Sequence, residues 1–250
     1  MRIRHPRAQR IIIMGATSGI GMEAARYLIR FRPYTILGLA GRNEEALNEL
    51  KELAPNRVHT QHIDVTSSHA PDALHLLIKK IGGMDVYLHT AGIGWVNTEL
   101  IPELELKTMA VNGEGFVRMT TAAYNYMAAH RGGRLAAITS IAATRGLGAV
   151  PAYSATKAFQ QKYLQALSQQ SAIRHSCVRI TDIRPGFVDT PLLKNRHFPM
   201  LMDAGQVARR MIHAIENGRR CITIDRRYAA LVLGWSLIPG CIWEKLPVKP

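Results

Sequence analysis

Cysteine is scarce in this chain of 250 residues: there are three, at 177, 221 and 241, odd in number and far apart. That excludes a disulfide scaffold and a thiolate metal site, and the three read as buried thiols of a reducing compartment. Aromatic residues make up only 6%. Neither an aromatic RNA-binding signature nor zinc-finger spacing occurs, which argues against specific nucleic-acid binding. Long apolar runs are missing near the start. The first, Ile11–Met14, is too short for the apolar core of a secretory signal, so the expected location is cytoplasmic. Repeats, low-complexity stretches and Ser/Gly-rich linkers are absent too, and one domain over residues 1–250 is expected. Acidic residues are outnumbered, 18 against 32 basic, for a net charge of +14. Such a balance favours anionic partners: phosphorylated cofactors, nucleic acid or an anionic membrane surface. The basic residues are scattered, and only Arg2, Arg4, Arg7 and Arg10 form a local cluster without acids.

With 47% hydrophobic residues the chain can build a sizeable core. Apolar, β-branched runs predict strands at Arg10–Met14, Tyr34–Ala40, Arg57–Ile63, Asp85–Thr90, Gly133–Thr139, Ser176–Ile183 and Cys221–Ile224. Between them, helical periodicity predicts Ile20–Arg30, Glu44–Leu53, Pro71–Ile81, Glu103–Ala129, Tyr153–Ser171 and Ala204–Asn217. Strand–helix alternation at this spacing implies right-handed crossovers and a mostly parallel seven-stranded sheet with helices on both faces. Ligands of such α/β folds bind beyond the carboxyl ends of the strands, where the strand order reverses.

The first predicted strand runs into Gly15-Ala16-Thr17-Ser18-Gly19-Ile20-Gly21 and then a helix. Glycines there permit a tight turn and let backbone approach a pyrophosphate, to which a helix N-terminus offers free N–H groups. By itself the spacing fits an ordinary structural turn as well. Further along stand Asp64-Val65, "TAG" at 90–92, Asn112, Ser140, "YSATK" at 153–157 and "RPGFVDTP" at 184–191. This ordered set, from about residue 10 to 225, resembles the short-chain dehydrogenase/reductase family. The resemblance implies a single Rossmann-type doubly wound domain and an oxidoreductase that moves hydride between a nicotinamide and a carbonyl or alcohol.

Tyr153 and Lys157 are four apart on a predicted helix and share a face. A Tyr–Lys pair at that spacing is usually a surface pair; with Ser140 at the preceding strand end it reads as acid–base machinery. A phenol has a pKa near 10, which a neighbouring ammonium and an oxidised nicotinamide would lower. The Tyr153 hydroxyl can then protonate a carbonyl oxygen, or deprotonate an alcohol in reverse, while Ser140 holds the same oxygen. The resemblance gives Lys157 a second task, hydrogen bonding the nicotinamide ribose. It also places at Asn112 a water that relays protons to Lys157. No metal-ligand cluster competes, and a metal site is not expected.

The second predicted strand ends in Ala40-Gly41-Arg42, where a carboxylate would hold a free ribose 2′-hydroxyl. A guanidinium stands there instead and suits a 2′-phosphate, so NADP(H) is expected over NAD(H). Glu44 and Glu45 follow closely, as first-turn residues of the next helix. Ser18 occupies a place where many NADP-dependent relatives carry a basic residue. By resemblance, Thr17, Ser18, Gly19 and Ile20 complete the phosphate loop. Asp64 and Val65 line the adenine pocket, and Ala91 and Gly92 pass the adenosine ribose. Pro185 and Gly186 turn over the nicotinamide, and Val188 and Thr190 meet its carboxamide. Where the family has Asn-Asn-Ala-Gly, this chain has His89-Thr90-Ala91-Gly92, which puts two polar contacts in question.

The stretch after Thr190, with Phe198, Met200, Leu201 and Met202 among Lys194, Arg196 and His197, fits a lid over a hydrophobic or acidic carbonyl compound. A second function class stays open: a cofactor-binding redox sensor or scaffold with little turnover. The two long helices, with "MTTAAYNYMAAH" on a flank, imply a homodimer or homotetramer, since relatives pair through these helices. Residues 228–243 carry no charge and include Trp235 and Trp243. Gly234, Pro239 and Gly240 interrupt the run, and a spanning helix needs about twenty apolar residues. The tail 228–250 is therefore expected to be covered by its own domain or a partner subunit. The alternative is peripheral membrane contact, with Arg226, Arg227, Lys245 and Lys249 toward anionic headgroups.

Overall fold

A strand that is apolar on both faces has to be covered on both, and in β1 (Arg10–Met14) every side chain from Ile11 to Met14 is buried. The other strands are β2 (Ile36–Gly41), β3 (Val58–His62), β4 (Val86–His89), β5 (Gly133–Ile138), β6 (Val178–Arg184) and β7 (Cys221–Thr223). The computed structural model describes residues 9–193, 198 and 200–248. The strands form one seven-stranded sheet in the order β3-β2-β1-β4-β5-β6-β7. Every pairing is parallel. The order reverses between β1 and β4, so a crevice opens at their carboxyl ends.

Alternation along β1 sorts its side chains into two cores. Ile11 and Ile13 join the layer under α1 (Gly19–Phe31), α2 (Glu44–Glu52) and α7 (Ala204–Glu216). Ile12 and Met14 join the layer under α3 (Ala70–Lys80), α5 (Phe116–Ala129) and α6 (Pro151–Ile173). Each such side chain contributes about 1.5–3 kcal/mol of transfer free energy. Strand ends differ from expectation by one or two residues, within the usual fraying of boundaries.

Three expectations need correction. The helix read over Glu103–Ala129 is three pieces: α4 (Pro102–Met109), a π-helical stretch Ala110–Gly115, and α5. The three cysteines are exposed, not buried; they sit at β6's approach, on edge strand β7 and in the tail, where the core does not reach. Arg10 does not belong to a free basic cluster, because its guanidinium pairs with Asp85 at 2.6 Å; Arg2, Arg4 and Arg7 lie outside the described residues. Along the flank 119–130, Met119, Thr120, Ala123, Tyr124 and Met127 face inward, while Thr121, Ala122, Asn125, Tyr126, Ala128, Ala129 and His130 are half-buried or exposed.

The tail folds as α8 (Arg226–Ser236) and a short α9 (Gly240–Trp243). Among the described residues no helix is long and apolar enough to cross a membrane. Lys194, Arg196 and His197 of the loop after Thr190, and Lys249 of the tail, lie outside the described residues.

Candidate active site

The loop leaving β1 is shaped by close backbone approach. Gly15 has φ +94°, and a Cβ on it would stand 2.6 Å from the Ala91 nitrogen; one on Gly21 would meet the Gly15 carbonyl and the Thr90 hydroxyl. Only glycine fits either place. The Gly15 and Ala16 N–H groups both donate to the Ala40 carbonyl, at 2.8 and 2.9 Å. Thr90 donates its hydroxyl to the carbonyls of Met14 (2.8 Å) and Gly15 (3.0 Å). Thr90 thus supplies a polar contact that its departure from the family pattern had put in question. His89 does not: its Nδ1 meets the Tyr87 hydroxyl at 3.0 Å, and its buried Nε2 has no partner. Burial first, then Lys157, pushes the His89 pKa down to about 3.

The other strand ends converge on the same crevice. Arg42 is exposed just past β2, beside the turn that enters α2. Asp64 follows β3; burial raises its pKa, but the Thr66 N–H and hydroxyl, Arg42 and His62 outweigh that and hold it low. Beyond β6, Pro185 accepts from the Ile141 N–H at 3.1 Å, and Thr190 lies where a Gly19 side chain would be, 3.2 Å from that Cβ position. One cavity of about 670 Å³ takes in the glycine loop, Arg42, Asp64, Val65, Ala91, Gly92, Pro185, Gly186, Val188 and Thr190. It takes in Ser140, Tyr153 and Lys157 as well. Of the catalytic and cofactor-binding residues expected from the sequence, Asn112 alone does not line it.

Ser140 precedes the 3-10 turn Ile141–Thr144 and accepts from the Ala142 N–H at 3.1 Å. Its side chain also acts on the Tyr153 phenol, favouring the ionised form. Burial raises the Tyr153 pKa, and Ser140 lowers it by less. Without cofactor the phenol therefore lies above its usual value, desolvation of the phenolate being the dominant cause. The Lys157 ammonium sits 5.7 Å from the centroid of the Tyr153 ring and is buried. It donates to the Ile138 carbonyl at 2.9 Å and to Gln160 Oε1 at 3.1 Å. Burial drives its pKa down to about 8, with Asp182 pulling the other way.

Asn112 rests in the π-helical stretch. Its Oδ1 accepts from the Ile93 N–H at 2.9 Å and its Nδ2 donates to the Ile93 carbonyl at 2.7 Å. Its backbone carbonyl accepts from Gln160 Nε2 at 2.8 Å. Gln160 is therefore a site residue that the sequence reading missed. Its place three residues after Lys157 on one helix, hence on the same face, was the available signal.

A doubly wound parallel sheet, a glycine cradle opening a helix, and a Ser–Tyr–Lys cluster at the crevice define a dinucleotide-dependent oxidoreductase class. Comparison with known proteins gives the family. A family model described as short chain dehydrogenase matches residues 9–199. An uncharacterized oxidoreductase of Myxococcus xanthus (strain DK1622) is 31% identical over 241 residues, 93% of this chain and 94% of its own. The dehydrogenase/reductase SDR family member 7B of Bos taurus is 32% identical over 197 residues; the match covers 74% of this chain and 59% of that protein. A short-chain dehydrogenase from Burkholderia cenocepacia J2315, solved in complex with NADP, has TM-score 0.81 at 20% identity, covering 97% of this chain and 99% of that one. A 3-ketoacyl-(acyl-carrier-protein) reductase from Brucella melitensis, solved with NADH, has TM-score 0.77 at 20% identity, covering 87% and 96%. The chain belongs to the short-chain dehydrogenase/reductase family and is an oxidoreductase of that type.

Proposed function

We propose that the chain is an NADP(H)-dependent reductase of carbonyl compounds, or dehydrogenase of the corresponding alcohols, acting through Tyr153, Ser140 and Lys157. The observation that carries this reading is that Ser140, Tyr153 and Lys157 line one cleft, with the buried ammonium 5.7 Å from the centroid of the phenol ring. The glycine cradle fits a dinucleotide: Gly15, Gly19 and Gly21 line the cavity with bare backbone in a turn that only glycine can close at 15 and 21, and α1 offers its N-terminus there. Residues 15 and 17–21 would hold the pyrophosphate, Arg42 the 2′-phosphate, and Asp64 and Val65 the adenine. Ala91 and Gly92 would border the ribose, and Pro185, Gly186, Val188 and Thr190 the nicotinamide. The bound cofactor supplies the hydride.

The protein's own residues handle the proton. Tyr153 gives its phenolic proton to the carbonyl oxygen as negative charge develops there, and Ser140 holds that oxygen in line. Lys157 stabilises the phenolate that remains, because opposite charge nearby favours the charged form. Asn112 fixes the segment around Ile93 through its two bonds and so positions the cleft wall; it touches no reacting atom. Relatives of this fold were solved with NADP and with NADH, so the choice falls to the β2 end. Arg42 supports NADP(H), its fork of donors matching phosphate.

Titration of the protein with NADPH and NADH tests the cofactor half. NADPH is expected to bind about tenfold tighter or more, and Arg42→Ala to remove most of that difference; tighter NADH binding by the unmodified protein overturns it. The chain is further read as a homodimer or homotetramer, supported by exposed Leu106 and Met109 on α4 and Phe159 on the adjoining α6.

A further inference from the structure

Past Tyr153, away from the cofactor end, the cleft is walled by Trp95, Phe187 and Phe198 and by Leu231, Trp235 and Trp243 of the tail. Among the described residues the only charged side chains on the cavity wall are Arg42, Asp64 and Lys157. Arg42 and Asp64 stand at the β2 and β3 ends, and Lys157 is held beside Tyr153. A charged group carried into the remaining space would lose its water and find no charged partner among the described residues. An apolar body would gain from the same walls.

The tail wall is built, not draped. Arg145, in the segment that follows Ser140, donates to the carbonyls of Trp235 (3.0 Å), Ser236 (3.0 Å) and Ile238. It thereby satisfies the open C-terminal end of α8. The same guanidinium lies 5.5 Å from the Trp243 ring centroid, and the Trp243 indole N–H donates to the Gly146 carbonyl at 2.9 Å. Trp243 meets Trp235 edge-on at 5.5 Å. At its other end α8 is rooted by Tyr228, which is fully buried and lies where any side chain on Gly186 would be.

We propose that the site takes carbonyl compounds with an uncharged apolar body, laid along the wall that Arg145 clasps into place. This deepens the reductase reading and rests on it. The test uses the full chain with NADPH and a series of 2-alkanones from butanone to 2-decanone, beside a ketone of decanone length ending in carboxylate. We expect kcat/KM to rise about fourfold per methylene over the first several carbons, and the carboxylate to lose most of that gain. Arg145→Ala should flatten the gradient below about twofold per methylene, with the NADPH dissociation constant certifying the fold. Leu231→Asn is the second variant and should flatten it too. Tryptophan emission titrated with 2-decanone reads binding without turnover, and saturation is expected. A flat gradient, a preference for the carboxylate, or no saturation up to the ketone's solubility overturns the inference. Saturable 2-decanone binding with no turnover of any carbonyl overturns the reductase reading and leaves the wall assignment standing.

A separate observation carries a second inference. Gln160 is fully buried and spans the gap between the Asn112 carbonyl and the Lys157 ammonium with its own amide. The geometry points to Gln160 as a positioning residue that fixes the Lys157 ammonium in place of a relay water. The titratable groups around that ammonium are Tyr153 on α6, Asp182 on β6 and His89 on β4. An acceptor on an ammonium favours its charged form. In cofactor-free protein with 13C-labelled lysine, the Lys157 titration midpoint followed by NMR should fall by half a pH unit or more in Gln160→Leu. It should rise by as much in Gln160→Glu. A merely structural role would not move it in opposite directions; an unmoved midpoint in both variants overturns the assignment.

Discussion

Lys157 is held where an ammonium is expensive. Its pKa is pushed down to about 8 by burial, against about 10.4 for an unfolded lysine. Between those values the unfolded chain binds more protons, so this group's contribution to stability rises with pH from 8 to about 10.4. Below pH 8 the full cost is carried. Lys157→Met should therefore raise the melting temperature at pH 7, by up to about 3 kcal/mol before the loss of two hydrogen bonds offsets part. The gain should vanish as pH passes 10.4. Calorimetry across that range checks it, and a variant less stable than the parent at pH 7 contradicts the account. Tyr153→Phe asks a different question, since only the transferable proton is removed. Turnover should drop at least a thousandfold while NADPH affinity stays within about twofold. Once a substrate is in hand, residual activity near the parental level would end the assignment. His89 sets a third test: with its pKa near 3, stability should be lost progressively as pH falls from about 6.5 toward 3. Thermal melts of the parent and of His89→Asn over that range compare the two slopes, and equal slopes would remove His89 as the cause.

At the scale of elements, the π-helical stretch Ala110–Gly115 is what turns Asn112 toward the loop after β4. Two of its three side-chain bonds go to the Ile93 backbone, much as a neighbouring strand would pair, and the third to the Thr156 hydroxyl. Asn112→Ala leaves an N–H and a carbonyl without those partners and should cost about 1–3 kcal/mol, read as a lowered denaturant midpoint. If the midpoint is unchanged, the segment 91–94 has another support. The same stretch shows where legibility ended. Apolar periodicity fixed helix over 103–129, but a one-residue widening inside a helix leaves the apolar stripe nearly intact, so nothing in the pattern marked it. The strands were plain to read because fully buried runs such as Ile11–Met14 tolerate no polar residue. From their alternation with helices, the crevice and the residues around it followed. Helix α8 stayed hidden for the opposite reason. Trp235 and the half-exposed Leu231 line a cavity, while Leu233 on the same helix and Leu237 at its C-cap are more exposed. With apolar residues on both sides, no polar face announced a period. The cysteines misled because composition gives no position, and theirs are edges and loops.

For the whole molecule, charge and apolar surface pull against each other. Each chain carries +14, so two copies repel at low salt, by an amount that ions screen. Against this stand Leu106 at 68%, Met109 at 50% and Phe159 at 43% exposure, on helices that pack side by side. Apolar side chains on two adjacent helices make a face that a second copy can cover symmetrically, residue on residue about a twofold axis. Burying it is favoured by the hydrophobic effect and is not weakened by salt. If that face pairs two chains, association should strengthen as ionic strength rises from about 0.02 to 0.3 M, because screening removes the repulsion and leaves the apolar gain. Light scattering at micromolar concentration should give at least twice the 27.8 kDa chain mass. Phe159→Glu together with Leu106→Glu should return it to a single chain mass, with far-ultraviolet circular dichroism unchanged. A mass of one chain for the unmodified protein at high salt would show that the face is left to water.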